Sequence, residues 1–410
     1  MSKNTRDHWD ILIIGAGASG LMAGIISARL GKKVLILEQM DKIGKKILAT
    51  GNGKCNYTNA YMNNKCFRGD IEIINRVLDE FTTEECLAFF HSIGIYPKER
   101  NGYYYPNSEQ AQSLVLAMTE ELNRLSVKIL LETKVNQIIS QKDGFCLISD
   151  KNRFYGKKVL ISTGLLASPK LGSNGSLFGA IKELGHHFSP IVPALCGFYC
   201  KGMPFKKVSG VRSIGRVTAI IDNKEVASDT GEVQFTDYGL SGIPVFQISR
   251  YLSLGLYSKK KVEISLDLLP DFTTVNILDE LKFRQSKNSR LELFLNGLIN
   301  KKLSDAIWEM LHMNPSTFTQ NLSENELLRI SNTLKSISVT VTNYRDFEFA
   351  QICTGGIPAK EVNTDTFESS IVKNLFFTGE ILNVDGICGG YNLHFAWGSG
   401  KVAAEAACKS

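Results

Sequence analysis

Residues 11–28, ILIIGAGASGLMAGIISA, contain no charged side chain and follow Lys3 and Arg6, which is also how a membrane span or a secretory leader looks. The glycines argue against both. Gly15, Gly17 and Gly20 close an apolar, β-branched run, and a second such run, KKVLILE, begins after one helix length. The order is strand, tight turn, helix, strand. A strand and helix buried on every side are apolar all round for the same reason that a span is. Neither membrane insertion nor export is expected, and the chain is expected to be cytoplasmic.

Each glycine of GAGASG has a distinct task. Gly15 permits the turn out of the strand, Gly17 lets backbone approach a pyrophosphate, and Gly20 lets helix and strand pack closely. Between them Ala18 and Ser19 offer bare N–H groups at the helix start. Glu38 ends the second strand, where a carboxylate accepts hydrogen bonds from an adenosine ribose. Two strands, a helix and an acid in register define a dinucleotide-binding unit.

The identity of the dinucleotide follows from what comes next. DKIGKKILATGNGKCNYTN is a polar, glycine-broken loop rather than a further core element. VNQIISQKDGFCLISDKNRFYGKKVLISTG reads as short strands joined by a KDG turn and ending at Ser162, Thr163 and Gly164, and NLFFTGE reads as an apolar strand near the C-terminus. A meander leading to an STG and a late strand leading to a GE resemble the FAD-binding domain of two-domain flavoproteins.

A narrower resemblance rests on four stretches in order: GKKILATGNGKCNYTN, GEVQFTDYGLSGIPVFQIS, CTGGIPAKEVNTDTFESS and TGEILNVDGICGGYNLHFAWGSG. They resemble the successive signatures of the YhiN/BaiN-type bacterial flavoproteins, the group that includes aminoacetone oxidase. The chain departs from the family in four places. GRCN is GKCN, an arginine before the aromatic-Pro pair is Tyr103, TGG opens as TGLLASPKLGSNGSLFG, and YNLQ is YNLH. The resemblance implies an α/β fold in which a discontinuous Rossmann-like FAD-binding domain (1–190 and 346–410) is interrupted. The interruption is a small β-barrel-like domain (191–270, completed by 334–345) and a helical insert (271–333). Turn-separated β-rich runs and helically spaced apolar residues in those ranges point the same way. The inserted parts are expected to roof the flavin and shape a substrate pocket.

Flavin contacts are assigned to Gly15, Gly17, Ala18, Ser19, Gly20, Glu38 and Gln39 at the adenosine end. Lys46, Thr50, Gly51, Gly53, Lys54, Cys55 and Asn56 follow in the polar loop, with Val135, Thr163, Gly164, Gly379 and Glu380 on later segments. Asp385 is assigned to the ribityl chain. Gly386 is assigned as a further contact, and Gly389, Gly390, Tyr391, Asn392 and Leu393 open a helix whose N-terminal donors face the ring edge where reduced flavin gathers negative charge. On that reading Gly390→Val blocks backbone approach to the ring and largely spares folding. His394 is the candidate for proton transfer over the flavin, against a structural role. Tyr103, Tyr104 and Tyr105 are expected to pack a hairpin, His186 and His187 to pair with terminal helix carbonyls, and the 172–176 loop to be a surface turn.

Composition narrows the partners. Among 410 residues, 47 Lys and Arg against 41 Asp and Glu give a formal charge of +6 without long basic runs, so nucleic acid is not an expected partner. Nine cysteines without a CxxC pair suggest reduced thiols and no zinc or other metal. Cys55 and Cys388 fall in flavin-contacting loops, where a redox disulfide is an alternative to free thiols. The expected activity is an FAD-dependent oxidoreductase that reduces an activated double bond in a small or steroid-like substrate. No second GxGxxG opens a nicotinamide domain, so NAD(P)H is expected as a transient donor. The alternatives are an amine oxidase acting on an aminoacetone-like substrate with oxygen, a tRNA-modifying or RNA-binding flavoprotein, and a flavin-binding regulator without turnover. Oligomeric state is open.

Overall fold

The computed structural model describes residues 8–409; Lys3 and Arg6 lie outside the described residues. The chain divides into two compact units, one running to Ile191 and resuming at Ile352, the other spanning Val192–Gln351.

In the first unit, β1 (His8–Ile14), α1 (Ala18–Arg29) and β2 (Val34–Leu37) follow one another. β1 pairs in parallel with β2 on one side and with Arg153–Ile161 on the other, and Lys128–Leu130 extends the sheet beyond β2. The nine-residue strand Arg153–Ile161 serves two partners. Its first half pairs antiparallel with Gly144–Ser149, which pairs on with Val135–Gln141, while its last three residues pair in parallel with Leu375–Phe377. The register aligns Ile14 with Ile161 and Ile161 with Phe377. Three segments, starting at Gly15, Ser162 and Thr378, therefore leave one edge of the sheet, the carboxyl ends at which open α/β sheets bind ligands.

The uncharged run is explained by packing. Residues 11–28 would be misread as a span only in isolation: Ile11, Leu12, Ile13, Leu21, Met22, Ala23 and Ile25 are all at most 1% exposed. α1 is covered by the sheet on one side and by the C-terminal helix Tyr391–Lys409 on the other. Contact is this close because glycines stand at the crossings: a Cβ on Gly24 would come 2.7 Å from Ile36 Cδ1, and one on Gly400 would come 2.4 Å from the Ser19 carbonyl oxygen. Among the described residues, no helix is long and apolar enough to cross a membrane.

In the second unit, Phe198–Lys201, Gly239–Ser241, Lys224–Phe235, Arg212–Ile221, Val262–Asp267 and Ile337–Tyr344 pair antiparallel in that order, and the last closes on the first. Alternating burial along Arg212–Ile221 and Ile337–Tyr344 places Val217, Ala219, Ile337, Val339 and Val341 inside. Between the last two strands of the circuit lie helices Thr274–Gln285, Lys301–Leu311 and Glu324–Lys335. Thr273 with Asn276, and Ser323 with Glu326, form reciprocal caps at two of their starts.

Candidate functional site

The three glycines of the first turn differ in what surrounds them. Gly15 has φ +103, and a Cβ on it would stand 2.5 Å from the Ser162 carbonyl oxygen; a Cβ on Gly20 would stand 2.0 Å from the Gly15 carbonyl oxygen. Both are required by the fold itself. Gly17 is not. Its φ of −82 suits any residue, and a Cβ there would meet no atom within 4 Å. This open space lies at the N-terminus of α1, whose first N–H groups have no partner inside the helix. A diphosphate fits a cradle that a side chain at 17 would fill.

Glu38 is buried at the end of β2 beside the glycine turn. One carboxylate oxygen accepts from the Ala16 N–H at 2.7 Å and the other from Met40 at 2.8 Å. Burial pushes its pKa up, against the opposing pull of these N–H donors. The acid thus ties the glycine turn to the end of β2. Gln39 donates to the Gly172 carbonyl at 2.6 Å and sits within hydrogen-bonding distance of Asn174 and Ser176. The 172–176 loop is therefore tied to the end of β2. Val135 is buried at the start of its strand.

The N-terminal loop and the C-terminal segment meet through a salt bridge of 2.8 Å from Lys46 Nζ to Glu380, whose other oxygen accepts from Cys353 N–H at 2.8 Å. Glu380 also lies beside Gly164, 3.5 Å from where its Cβ would be. Ser162 and Thr378 share a 2.7 Å hydroxyl hydrogen bond, and the Ser19 hydroxyl donates to the Thr378 carbonyl at 3.3 Å. In the polar loop Gly51, Asn52, Gly53 and Cys55 all have positive φ, and no atom lies within 4 Å of a Cβ built on Gly53. The Thr50 hydroxyl caps the Ile47 carbonyl at 2.6 Å. Lys54 bonds Glu109 at 3.3 Å, a carboxylate that Lys98 and Arg100 also share. Asn56 Oδ1 is buried without a hydrogen-bond partner.

The late glycines are braced by side chains from far away. Asp385, buried, accepts from the Thr354 hydroxyl at 2.6 Å. Asn392 accepts from Gly386 N–H at 2.8 Å and donates back to the Gly386 carbonyl at 2.9 Å. Asn59 donates to the Gly389 carbonyl at 2.9 Å, and the ring of Tyr391 meets Phe67 edge-on at 5.8 Å. Leu393 lies in the first turn of the helix Tyr391–Lys409. Thr58, Asn59, Phe81 and Thr354 are functional supports that sequence reading did not single out. The sequence signal available was the position of Thr58 and Asn59 directly after GKCN.

Three expectations change. Gly390 is required by the fold: at φ +90, a Cβ on it would come 2.7 Å from Asn56 Oδ1 and 2.8 Å from the Thr58 carbonyl oxygen. Its substitution therefore strikes the fold. His394 is fully buried, with Nδ1 2.8 Å from the Thr58 hydroxyl and Nε2 2.8 Å from the Phe81 carbonyl. The carbonyl can only accept, so Nε2 carries the proton, Nδ1 accepts from Thr58, and no ring nitrogen is left for a proton relay. His186 and His187 converge on a carboxylate rather than on helix carbonyls. His186 Nδ1 is 3.0 Å and His187 Nδ1 3.1 Å from Glu361, while His186 Nε2 is 2.8 Å from Ser369 Oγ.

Neither Cys55 nor Cys388 forms a disulfide, and burial pushes the Cys55 thiol up to about 12. Tyr103–Pro106 pairs with Pro97–Arg100 and with Thr58–Asn59 in a small sheet. Among the described residues no group of three or more His, Cys, Asp or Glu is placed to hold a metal.

The buried imidazole at 394 has a pH consequence. Burial lowers its pKa from 6.5 to about 4. Below pH 6.5 the unfolded chain takes up a proton that the folded chain refuses, so stability is complete above that pH and falls between 6.5 and 4, by about 3 kcal/mol. His186, lowered by burial as well, adds in the same direction. His394→Gln can keep both hydrogen bonds, donating to Phe81 and accepting from Thr58, without titrating. Urea unfolding at pH 7 and pH 5 should show a smaller acid loss in His394→Gln than in wild type, at unchanged flavin content; an equal loss in both would refute it.

A glycine turn with open space before the first N–H groups of α1, a buried carboxylate hydrogen-bonded to that turn and a second glycine-rich helix start suit an FAD-dependent oxidoreductase. Residues 9–406 match the HI0933-like protein Rossmann domain, and the chain belongs to that family. It is 40% identical over 408 residues, 97% of this chain and 98% of the relative, to a 3-dehydro-bile acid delta(4,6)-reductase of Clostridium scindens. It is 26% identical over 400 residues to a ribosomal RNA dihydrouridine synthase of Escherichia coli, covering 97% of this chain and 98% of that one. Among solved structures, a 3-ketosteroid-delta4-(5alpha)-dehydrogenase from Rhodococcus jostii covers 100% of this chain and 99% of its own, with a TM-score of 0.52 at 14% identity. That likeness is one of fold.

Proposed function

We propose that this chain reduces an activated carbon–carbon double bond in a small, steroid-like substrate, drawing electrons from NAD(P)H. The observation that carries the reading is the end-to-end 40% identity to the bile acid reductase. Bound FAD supplies the hydride chemistry. The residues proposed to hold it are those at the sheet edge: the N-terminus of α1 at Gly17 for the diphosphate, Glu38 for ribose hydroxyls, Asp385 for the ribityl chain, and the N–H groups of Tyr391, Asn392 and Leu393 for the pyrimidine edge. Lys46 and Glu380 join the two ends of the chain that form this grip. His394 has no proton-transfer role in this reading. The discontinuous domain division, with barrel-like and helical segments inserted between 191 and 345, is part of the same proposal.

A second reading has a specific support in the E. coli relative. Dihydrouridine is uridine with its conjugated ring double bond saturated, so the bond chemistry is shared and only the carrier differs. The test is to incubate purified enzyme under nitrogen with NADH or NADPH and either a 3-oxo-4,6-diene steroid or unmodified ribosomal RNA. Mass analysis of the steroid gaining two hydrogens supports the first reading. Hydrogenation of uridine alone supports the second, and hydrogenation of neither substrate with either donor refutes both.

A further inference from the structure

The signature GEVQFTDYGLSG takes no part in the flavin grip, yet its geometry in the second unit is specific. The Thr236 hydroxyl accepts from Gly239 N–H at 3.1 Å, Thr236 N–H donates to the Gly239 carbonyl at 2.9 Å, and the Tyr238 carbonyl accepts from Cys200 N–H at 3.0 Å. Gly239 is required there, since a Cβ on it would stand 2.2 Å from the Phe198 carbonyl oxygen. The turn thereby fixes the ring of Tyr238 beside that of Tyr199, 5.2 Å between centroids. Arg345, anchored by its N–H to the Gly197 carbonyl at 2.9 Å, lies against these rings. Its guanidinium carbon is 3.8 Å from the Phe349 centroid, 4.4 Å from Tyr238 and 5.8 Å from Tyr199.

An arginine stacked on aromatic rings ordinarily spends its in-plane donors on a carboxylate or carbonyls. Arg345 Nε is buried and has no hydrogen-bond partner, and among the described residues no carboxylate forms a salt bridge with this guanidinium. An orphaned buried donor is costly to leave without a partner, and the fork geometry of a guanidinium matches an oxyanion. Phe349, 55% exposed, and Tyr199, 38% exposed, offer apolar contact beside the guanidinium.

We infer that Arg345, held flat by Tyr199, Tyr238 and Phe349, is a binding site for an amphipathic carboxylate, an apolar body with a single oxyanion. This rests on the proposed reading for its biological ligand, a steroid acid, but the site stands on binding alone and needs no turnover. It also gives the TDYG signature a role, since the turn sets the ring that flattens the guanidinium.

The test is equilibrium binding to the flavin-loaded enzyme by calorimetry, with cholate and its uncharged methyl ester as probes. Wild type should bind cholate at least about tenfold more tightly than the ester, an energy difference of about 1.4 kcal/mol. Arg345→Gln should bind the two equally, and Arg345→Lys, which keeps the charge and loses the fork, should retain only part of the preference. Melting temperatures and flavin content show whether the variants fold. If Arg345→Gln does not fold, the lysine variant alone decides, a full wild-type preference in it overturning the fork. A wild-type enzyme that binds neither probe, or both alike, overturns the proposal, as does an unchanged preference in Arg345→Gln. Failure to reduce any dienone with cholate binding intact would instead count against the proposed function and leave the site standing.

Discussion

Gly17→Val should purify folded and colourless. The position has backbone geometry open to a side chain and room for its first carbon: its φ is −82 and nothing stands within 4 Å of a Cβ. What the valine fills is the space in front of the α1 N–H groups, where a diphosphate gains both hydrogen bonds and the helix-end potential. Loss of that grip should weaken FAD binding by at least about 100-fold, close to 3 kcal/mol, with the thermal midpoint of the apoprotein unchanged. Flavin titration followed by fluorescence quenching measures the first and circular dichroism melting of apoprotein the second. Wild-type FAD affinity in this variant would place the diphosphate elsewhere.

Gly390→Val should fail in the opposite way. Here φ is +90 and the new Cβ would be driven to 2.8 Å from the Thr58 carbonyl oxygen, on a strand held by pairing of Thr58 with Tyr104 and Asn59 with Tyr103. Neither group can withdraw without breaking that sheet, so strain and steric overlap add to about 4 kcal/mol or more. The expected result is insoluble or strongly destabilised protein, seen as a lower urea midpoint, rather than a folded protein with altered flavin potential. A Gly390→Val enzyme with wild-type stability would refute the close packing of the late glycines on the Thr58 strand.

The contrast between these two glycines shows what a linear sequence reveals. Gly15, Gly17 and Gly20 act within one turn, so their spacing carries their geometry, and the strand–helix–strand order around them is readable from Ile11 to Glu38. Gly389 and Gly390 act against Asn59 and Thr58, more than 300 positions away, as do the supports of His394, whose partners are Thr58 and Phe81. An imidazole at a helix start looks the same in sequence whether it faces a ligand or a Phe carbonyl. Only long-range packing decides, and it buries the ring. His186 and His187 repeat the lesson: the local cue, a helix ending in ELG, suggested terminal carbonyls, but Glu361 is brought in from 174–175 positions away and carries charge, which gives it the stronger hold on imidazole donors. Asp385, Glu380 and Lys46 are recognisable in the sequence, whereas Thr354, which bonds Asp385, and the pairing of Lys46 with Glu380 become visible only once the sheet edge is assembled.

The most direct test of a double-bond reductase dispenses with the electron donor. Enzyme whose flavin has been photoreduced under nitrogen is mixed in a stopped-flow cell with a 3-oxo-4,6-diene bile acid, and the oxidised flavin band is followed. Its return in a phase whose rate saturates with the dienone, together with recovery of the hydrogenated steroid in equal amount to the flavin, is the expected result. A flavin that stays reduced with the dienone and returns only when oxygen or unmodified ribosomal RNA is admitted would contradict it.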